Sequence, residues 1–249
     1  MFDNFFTLDI SAEVIASLIV MMILAVIAIA IGYKAKRQDP LKKPKGLFLI
    51  AEIGVKFFDN LSQELVGPGL PYFGGIIMGI GSYLFMTMLF GMTGLPSPAA
   101  SMAIPLSLGL TTFLLIHLTS ARFTKLAYFK RYVDPIPVLL PVNLLSMWAP
   151  LLSLTLRIFG NVIAGWTILT IVEVALKDLA AIITSLIPFI NHPFYLEVLI
   201  VPLPRAILSL YFDIFSSFIQ TSVFILLTLI FIGQEIPEQY SINTLERRS

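Results

Sequence analysis

Arg157 stands in the middle of an apolar run, LLSLTLRIFGNVIAG, with no acid in the same helix turn to neutralise it. An arginine at mid-bilayer depth costs at least about 2.5–3.5 kcal/mol on insertion scales, so it marks an ion pathway or a binding site by default. The alternative is a side chain that snorkels to the headgroups. Apolar residues extend far on both sides of Arg157, which weighs against snorkelling. At about 100° per residue, Ser146, Ser153, Asn161 and Ala164 fall within roughly 40° of it. One helix face thus gathers small and polar groups around a single cation, and Gly160 and Gly165 permit close approach of another helix.

The last apolar segment carries a second pattern. Arg205, Ser209, Asp213, Ser216 or Ser217, and Gln220 recur at steps of three or four, which lines them along one helix face. A single polar residue there would serve as helix–helix glue, whereas a stripe several turns long suits a wall facing water or a polar partner. Glu173 and Lys177 are four apart and can pair within one helix, about 160° from the Arg157 face. Asp178 is expected near the outer end of that helix, with His192 and Glu197 in the connection that follows; a solvated, structural role is favoured for all three. His117 is expected to be interfacial and not a ligand. Zero cysteines exclude disulfides and thiolate chemistry, and two histidines are too few for a histidine-built metal centre. No phosphate-cradling Gly-rich loop, Ser-centred nucleophile elbow or HExxH is present, so an intramembrane hydrolase is poorly supported.

The elements that must position these residues follow from composition. The 249 residues are 57% apolar and 12% charged, with mean hydropathy +0.92. Soluble domains carry about 25% charged residues, so a water-exposed globular surface is excluded. Apolar runs of roughly 20 residues are helix-length and too long for barrel strands. The expected fold is an all-α membrane protein with about five crossing helices and one interfacial amphipathic helix. The first span covers about Glu13–Tyr33, with acids before it and Lys34, Lys36, Arg37, Lys42, Lys43 and Lys45 after it, an order that excludes a cleavable signal peptide and puts the basic end inside. Leu47–Leu65 reads as the amphipathic helix lying at the inner surface. Further spans run from about Tyr72 to Met92 and from Met102 to Ser120, the latter followed by Arg122, Lys125, Lys130 and Arg131, again inside.

Beyond Asp134, four prolines (135, 137, 141 and 150) break the pattern, and a continuous helix is expected from Leu151 to Ile187, roughly 55 Å long and therefore tilted in a 30 Å core. Residues 188–204 read as a turn or bent connection, and Arg205 to about Gly233 as a second long helix. The organisation is one integral membrane domain over 1–249. Its parts are a first span and basic loop (1–46), the amphipathic helix (47–65), a two-span hairpin (72–120), a basic loop (121–134), a long tilted hairpin (135–235) and a polar tail (236–249). No internal repeat is visible, which weakens an inverted-repeat transporter. Composition and buried charge alone leave an ion channel or secondary transporter on nearly equal footing with a subunit of a larger ion-driven machine.

The strings LSLTLRIFGNVIAG (152–165) and IQTSVFILLTLIFI (219–232) resemble subunit a of the F-type ATP synthases. GLPSPAASMAIPLSLGL (94–110) is similar to the loop and helix start found there in the family. The resemblance implies a non-catalytic stator subunit that faces a rotor c-ring, each ring subunit carrying a mid-membrane carboxylate. Two offset aqueous half-channels would feed ions to and from the ring and couple their flow to rotation and ATP synthesis or hydrolysis. Arg157 then matches the motif's arginine, Asn161 its asparagine and Gln220 the glutamine of the final helix. Asp213 stands where relatives have a histidine or an acid, and Trp166 where many bacterial relatives have a carboxylate. Asn143 and Ser101 stand at positions often polar or acidic in relatives. Asp213 is therefore expected to carry the relay in the outer half-channel, with Ser153, Ser209, Ser217, Glu173, Asp178 and Glu197 as further half-channel lining.

The resemblance further implies peripheral-stalk b subunits, the remaining synthase subunits and lipid as partners. Neither a cofactor nor a nucleic acid is expected. The proton is the expected ion, with Na⁺ as the alternative. The expected location is a bacterial plasma membrane with the N-terminus outside and the C-terminus cytoplasmic, a mitochondrial inner membrane being the alternative.

Overall fold

Apolar runs of this length must close their backbone hydrogen bonds within themselves, and the chain does so as helices throughout, with no strand among the described residues. The computed structural model describes residues 11–37, 45–67, 70, 73–93, 97–124, 138, 140–186 and 194–237. The helices are α1 (Ala12–Arg37), α2 (Leu47–Val66), α3 (Phe73–Leu89), α4 (Ala103–Thr124), α5 (Leu140–Leu186), α6 (Phe194–Ile200), α7 (Pro202–Ser209) and α8 (Ser216–Gln234). Short 3₁₀ turns at Phe90–Thr93 and Pro98–Ala100 join α3 to α4. A six-residue π-helical segment, Leu210–Phe215, joins α7 to α8 without interrupting the rod. Five stretches are long and apolar enough to cross a membrane: α1, α3 with its 3₁₀ turn, α4, α5, and the continuous segment from Leu196 to Gln234.

Two sequence expectations are corrected. Helix α5 begins at Leu140 and runs through Pro150, giving 47 residues instead of the 37 expected from Leu151. Pro141 occupies the first turn, where its missing N–H would be unpaired anyway. Pro150 removes one interior hydrogen bond, a loss that helices in apolar surroundings tolerate when the rest of the ladder is intact. The connection before the last helix is also not a plain turn: α6 lies within it, and α7 starts at Pro202 with Pro204 in its first turn. The basic loop 125–131, the prolines at 135 and 137, His192 and the polar tail beyond 237 lie outside the described residues.

Two apolar clusters hold the bundle. Val66, Phe73, Ile77, Ile116, Ile225, Leu229 and Ile232 bury together where α2, α3, α4 and α8 meet. Leu84, Met88, Leu108, Leu154, Ile158 and Phe224 form the second, joining α3, α4, α5 and α8. Close approach depends on glycine at Gly74, Gly81, Gly109 and Gly233. A side chain at Gly109 of α4 would run into Thr155 of α5, and one at Gly233 of α8 would meet the Leu65 carbonyl of α2. On α1, Ser17 hydrogen-bonds Tyr83 of α3 at 2.7 Å. Helix α5 is covered least: in its most apolar stretch only 11% of residues are buried, against 39% for the segment containing α8.

Candidate functional site: two clefts on either side of Arg157

Arg157 sits on the tightly packed part of α5, between Leu154 and Ile158, which are 1% and 0% exposed. Its own side chain is half-buried. Its Nη1 is buried and makes no hydrogen bond within the chain, and no acid of the described residues pairs with it. A guanidinium presents five fixed donors. Here at least one of them is aimed into the protein with nothing to accept it.

Four residues further along α5, Asn161 Oδ1 accepts a hydrogen bond from Ser216 Oγ at 2.8 Å, which ties α5 to the start of α8. From this tie a cleft of about 720 Å³ opens between α5 and the incoming α7–α8 rod. Arg205, Ser209, Asp213 and Ser217 line it from the rod, and Asn161, Thr170 and Glu173 from α5. Asp213 lies on the π-helical segment, where its Oδ2 accepts from Ser209 Oγ at 2.5 Å. No cation pairs with it among the described residues, so the static Arg205–Asp213 pair that their similar helix face would allow does not form. Arg205 instead reaches across to Glu173, Nη1 to Oε2 at 2.6 Å, while Lys177 takes the other oxygen of Glu173 at 2.8 Å.

A second, smaller cleft of about 290 Å³ lies at the other end of the bundle. Its walls are Ile116 and His117 of α4, Asn143, Ser146, Met147 and Pro150 of α5, and Phe231, Gln234 and Glu235 at the end of α8. His117 Nδ1 lies 2.9 Å from the Phe113 carbonyl, and its ring packs on Phe113. The clefts share no residue. On α5 the first reaches inward to Asn161 and the second to Pro150, a separation of about 17 Å along the helix axis, and Arg157 lies between them.

The sequence-derived site residues therefore divide. Asn161, Ser209, Asp213, Ser217 and Glu173 meet around the larger cleft, and Trp166, 69% exposed, stands at its wall. Gln220 is 6% exposed with an unpartnered Nε2, as Arg157 Nη1 is, and lines neither cleft. Ser153 and Asp178 are exposed and Glu197 is half-buried on α6; none of the three lines either cleft. Ser101 is half-buried and likewise lines neither. Unanticipated were the place of His117 and Glu235 in the smaller cleft and that of Glu13, from the start of α1, in the larger. A wall built from five helices leaves no single-helix spacing to read. No group of three or more potential metal ligands occurs among the described residues.

Fold and site together define a multi-pass helical membrane protein with an uncompensated intramembrane arginine between two polar clefts. The family described as ATP synthase A chain matches residues 14–233, and this chain belongs to it. Similar chains carry the name ATP synthase subunit a: one from Aquifex aeolicus is 30% identical, covering 87% of this chain and 95% of that one. Another from Sulfurihydrogenibium is 28% identical over 88% and 96%, and one from Mycoplasmoides gallisepticum 27% over 91% and 78%.

Proposed function

We propose that this chain is the ion-conducting stator subunit of an F-type rotary ATP synthase, with the larger cleft as the outer half-channel and the smaller as the inner one. The observation that carries the reading is the pair of unconnected clefts on either side of Arg157. An ion moving along α5 from one cleft to the other would have to pass the guanidinium. It has to ride on something that moves past it, and a carboxylate on a rotating c-ring meets that need.

A guanidinium does not give up its proton in proteins, so it favours the ionised carboxylate without releasing a proton of its own. At about 4 Å and an effective dielectric of about 20 the attraction is about 4 kcal/mol. That is enough to drive the ion off the passing carboxylate, and small enough to be reversed as the ring moves on. Lysine in its place could deprotonate when buried and would be a poorer barrier. Asp213 serves as the relay acid of the outer route: it faces the cleft, bonded to a hydroxyl and to no cation. Ser209 and Ser217 line the same route, and Asn143, Ser146 and His117 the inner one.

The proton is the favoured ion. Partners in this reading are the c-ring, the peripheral-stalk b subunits and the other synthase subunits. The setting is a bacterial plasma membrane with the C-terminus cytoplasmic. The alternation of helix ends supports five crossings, since the starts of α1 and α7 and the far part of α5 meet at one cleft and the ends of α4 and α8 at the other. The test is ATP synthesis by the purified complex in vesicles under separate H⁺ and Na⁺ gradients. Synthesis under neither gradient would reject the reading, and synthesis under Na⁺ alone would reject the proton.

A further inference from the structure

Glu173 and Arg205 look unremarkable in sequence, one as half of a helix-internal pair with Lys177 and the other as the start of a polar stripe. In the structure they make an ion pair between two different helices. Eleven residues further along the rod, Ser216 makes its bond to Asn161. Two ties therefore join the rod to α5, and all six residues of the π-helical segment, Asp213 among them, lie between them. A π turn holds one more residue than the α turn it replaces, and such turns are rare outside sites that need them. Relaxing it to α would rotate Asp213 about the rod relative to whichever tie held. Gly91 lies close by: a Cβ there would stand 3.8 Å from Asp213 Oδ1, so the carboxylate lies near the turn after α3 as well.

We propose that the Arg205–Glu173 ion pair and the Ser216–Asn161 hydrogen bond form a bracket that holds the π-helical segment, and with it the Asp213 carboxylate, in the larger cleft. Glu173 and Arg205 are then positioning residues. Glu173, held by two cations, stays ionised and does not carry ions itself. This inference rests on the outer-route reading for its purpose but not for its geometry. Lys177 provides an internal control, since its pair with Glu173 lies within one helix and ties nothing together.

The experiment uses membranes containing the assembled complex. This chain has no cysteine of its own, so Asp213→Cys introduces its single thiol. The rate at which a water-soluble maleimide labels this chain is compared in the Arg205→Gln, Glu173→Gln, double, Arg205→Lys and Lys177→Gln backgrounds. Loss of the bracket is expected to slow labelling about two- to fivefold, the range an ion pair with one solvent-facing partner supplies. The two single Gln changes and the double should slow it equally, while Arg205→Lys and Lys177→Gln stay near the parent rate. An unchanged or faster rate in Arg205→Gln, or a double change equal to the product of the singles, overturns the bracket. Ser209→Cys, on the same wall, replaces Asp213→Cys as reporter if that variant fails to assemble. Labelling needs no ion flow. A complex with the unchanged chain that moves no ions would therefore sink the ion-route reading alone, and unchanged labelling of Asp213→Cys in the assembled Arg205→Gln complex would sink the bracket alone.

Discussion

The larger cleft is lined by four charged side chains, the smaller one by a single acid and an imidazole. Around the first stand Glu173 with its two cations and, deeper, Asp213 with only a hydroxyl. The second is walled by two amides, a hydroxyl and an imidazole, and its acid, Glu235, sits at the end of α8. A carboxylate far inside a narrow route can take up and release a proton, and in the smaller cleft the groups of that kind are the His117 imidazole and the Glu235 carboxylate. In the proposed reading the two sides hand the ion on differently: one through a carboxylate bonded only to a hydroxyl, the other along amide and hydroxyl groups beside an imidazole and a terminal acid. Arg157, between them, has to serve both.

The comparison fails altogether if Arg157 is dispensable. Arg157→Ala is expected to lower gradient-driven ATP synthesis on the order of 1,000-fold, the equivalent of the roughly 4 kcal/mol attraction, in a complex that still assembles. Near-normal synthesis in vesicles would remove the reason for two separate clefts. Arg157→Lys should restore little, because charge alone without a guaranteed protonation state does not maintain the barrier.

The next largest effect tests the asymmetry itself. Asp213→Asn should slow proton flux on the order of 100-fold, the lower range for removing a positioned acid–base group, and Asp213→Glu should keep much of it. Equal flux in Asp213→Asn and the parent would make the larger cleft as passive as the smaller and leave Asp213 a structural acid bonded to Ser209. On the other side, Asn143→Leu removes a neutral hydrogen-bonding wall group worth about 1 kcal/mol, so flux should fall only about fivefold. A loss at Asn143 as large as that at Asp213, measured in the same vesicles, would abolish the distinction between the two routes.

The smallest effect concerns the seam between them. Ser216→Ala deletes the bond to Asn161 and should reduce flux by a few-fold at most, again about 1 kcal/mol. A defect rivalling that of Arg157→Ala would mean that Ser216 acts in the route and does not merely hold it.

How much of this could be read in the sequence depended on range. The spans were legible because about 20 consecutive apolar residues have one meaning in a bilayer, and Arg157 because a charge there is conspicuous against its neighbours. The stripe from Arg205 to Ser217 was legible because helix periodicity reports a shared face. What periodicity cannot report is which helix that face meets, and this concealed the Arg205–Glu173 pair and the burial of Gln220. It also assumes uniform α winding, so the π-helical segment was invisible. Proline rules calibrated on water-exposed helices started α5 eleven residues too late. His117 was read from its own helix, although its setting is made by α5 and α8.

The bareness of α5 bears on the life of the chain before it is assembled. A 47-residue helix with so little of its apolar stretch covered, and with a half-buried guanidinium on it, has to be tolerated by lipid until partners arrive. An arginine facing hydrocarbon costs at least about 2.5–3.5 kcal/mol, and a membrane-resident protease or insertase can sense such a destabilised segment. The newly made chain is therefore expected to be short-lived on its own and long-lived once its partners cover it. In this reading the feature that makes the arginine useful in the finished machine also serves as quality control over the order in which that machine is built.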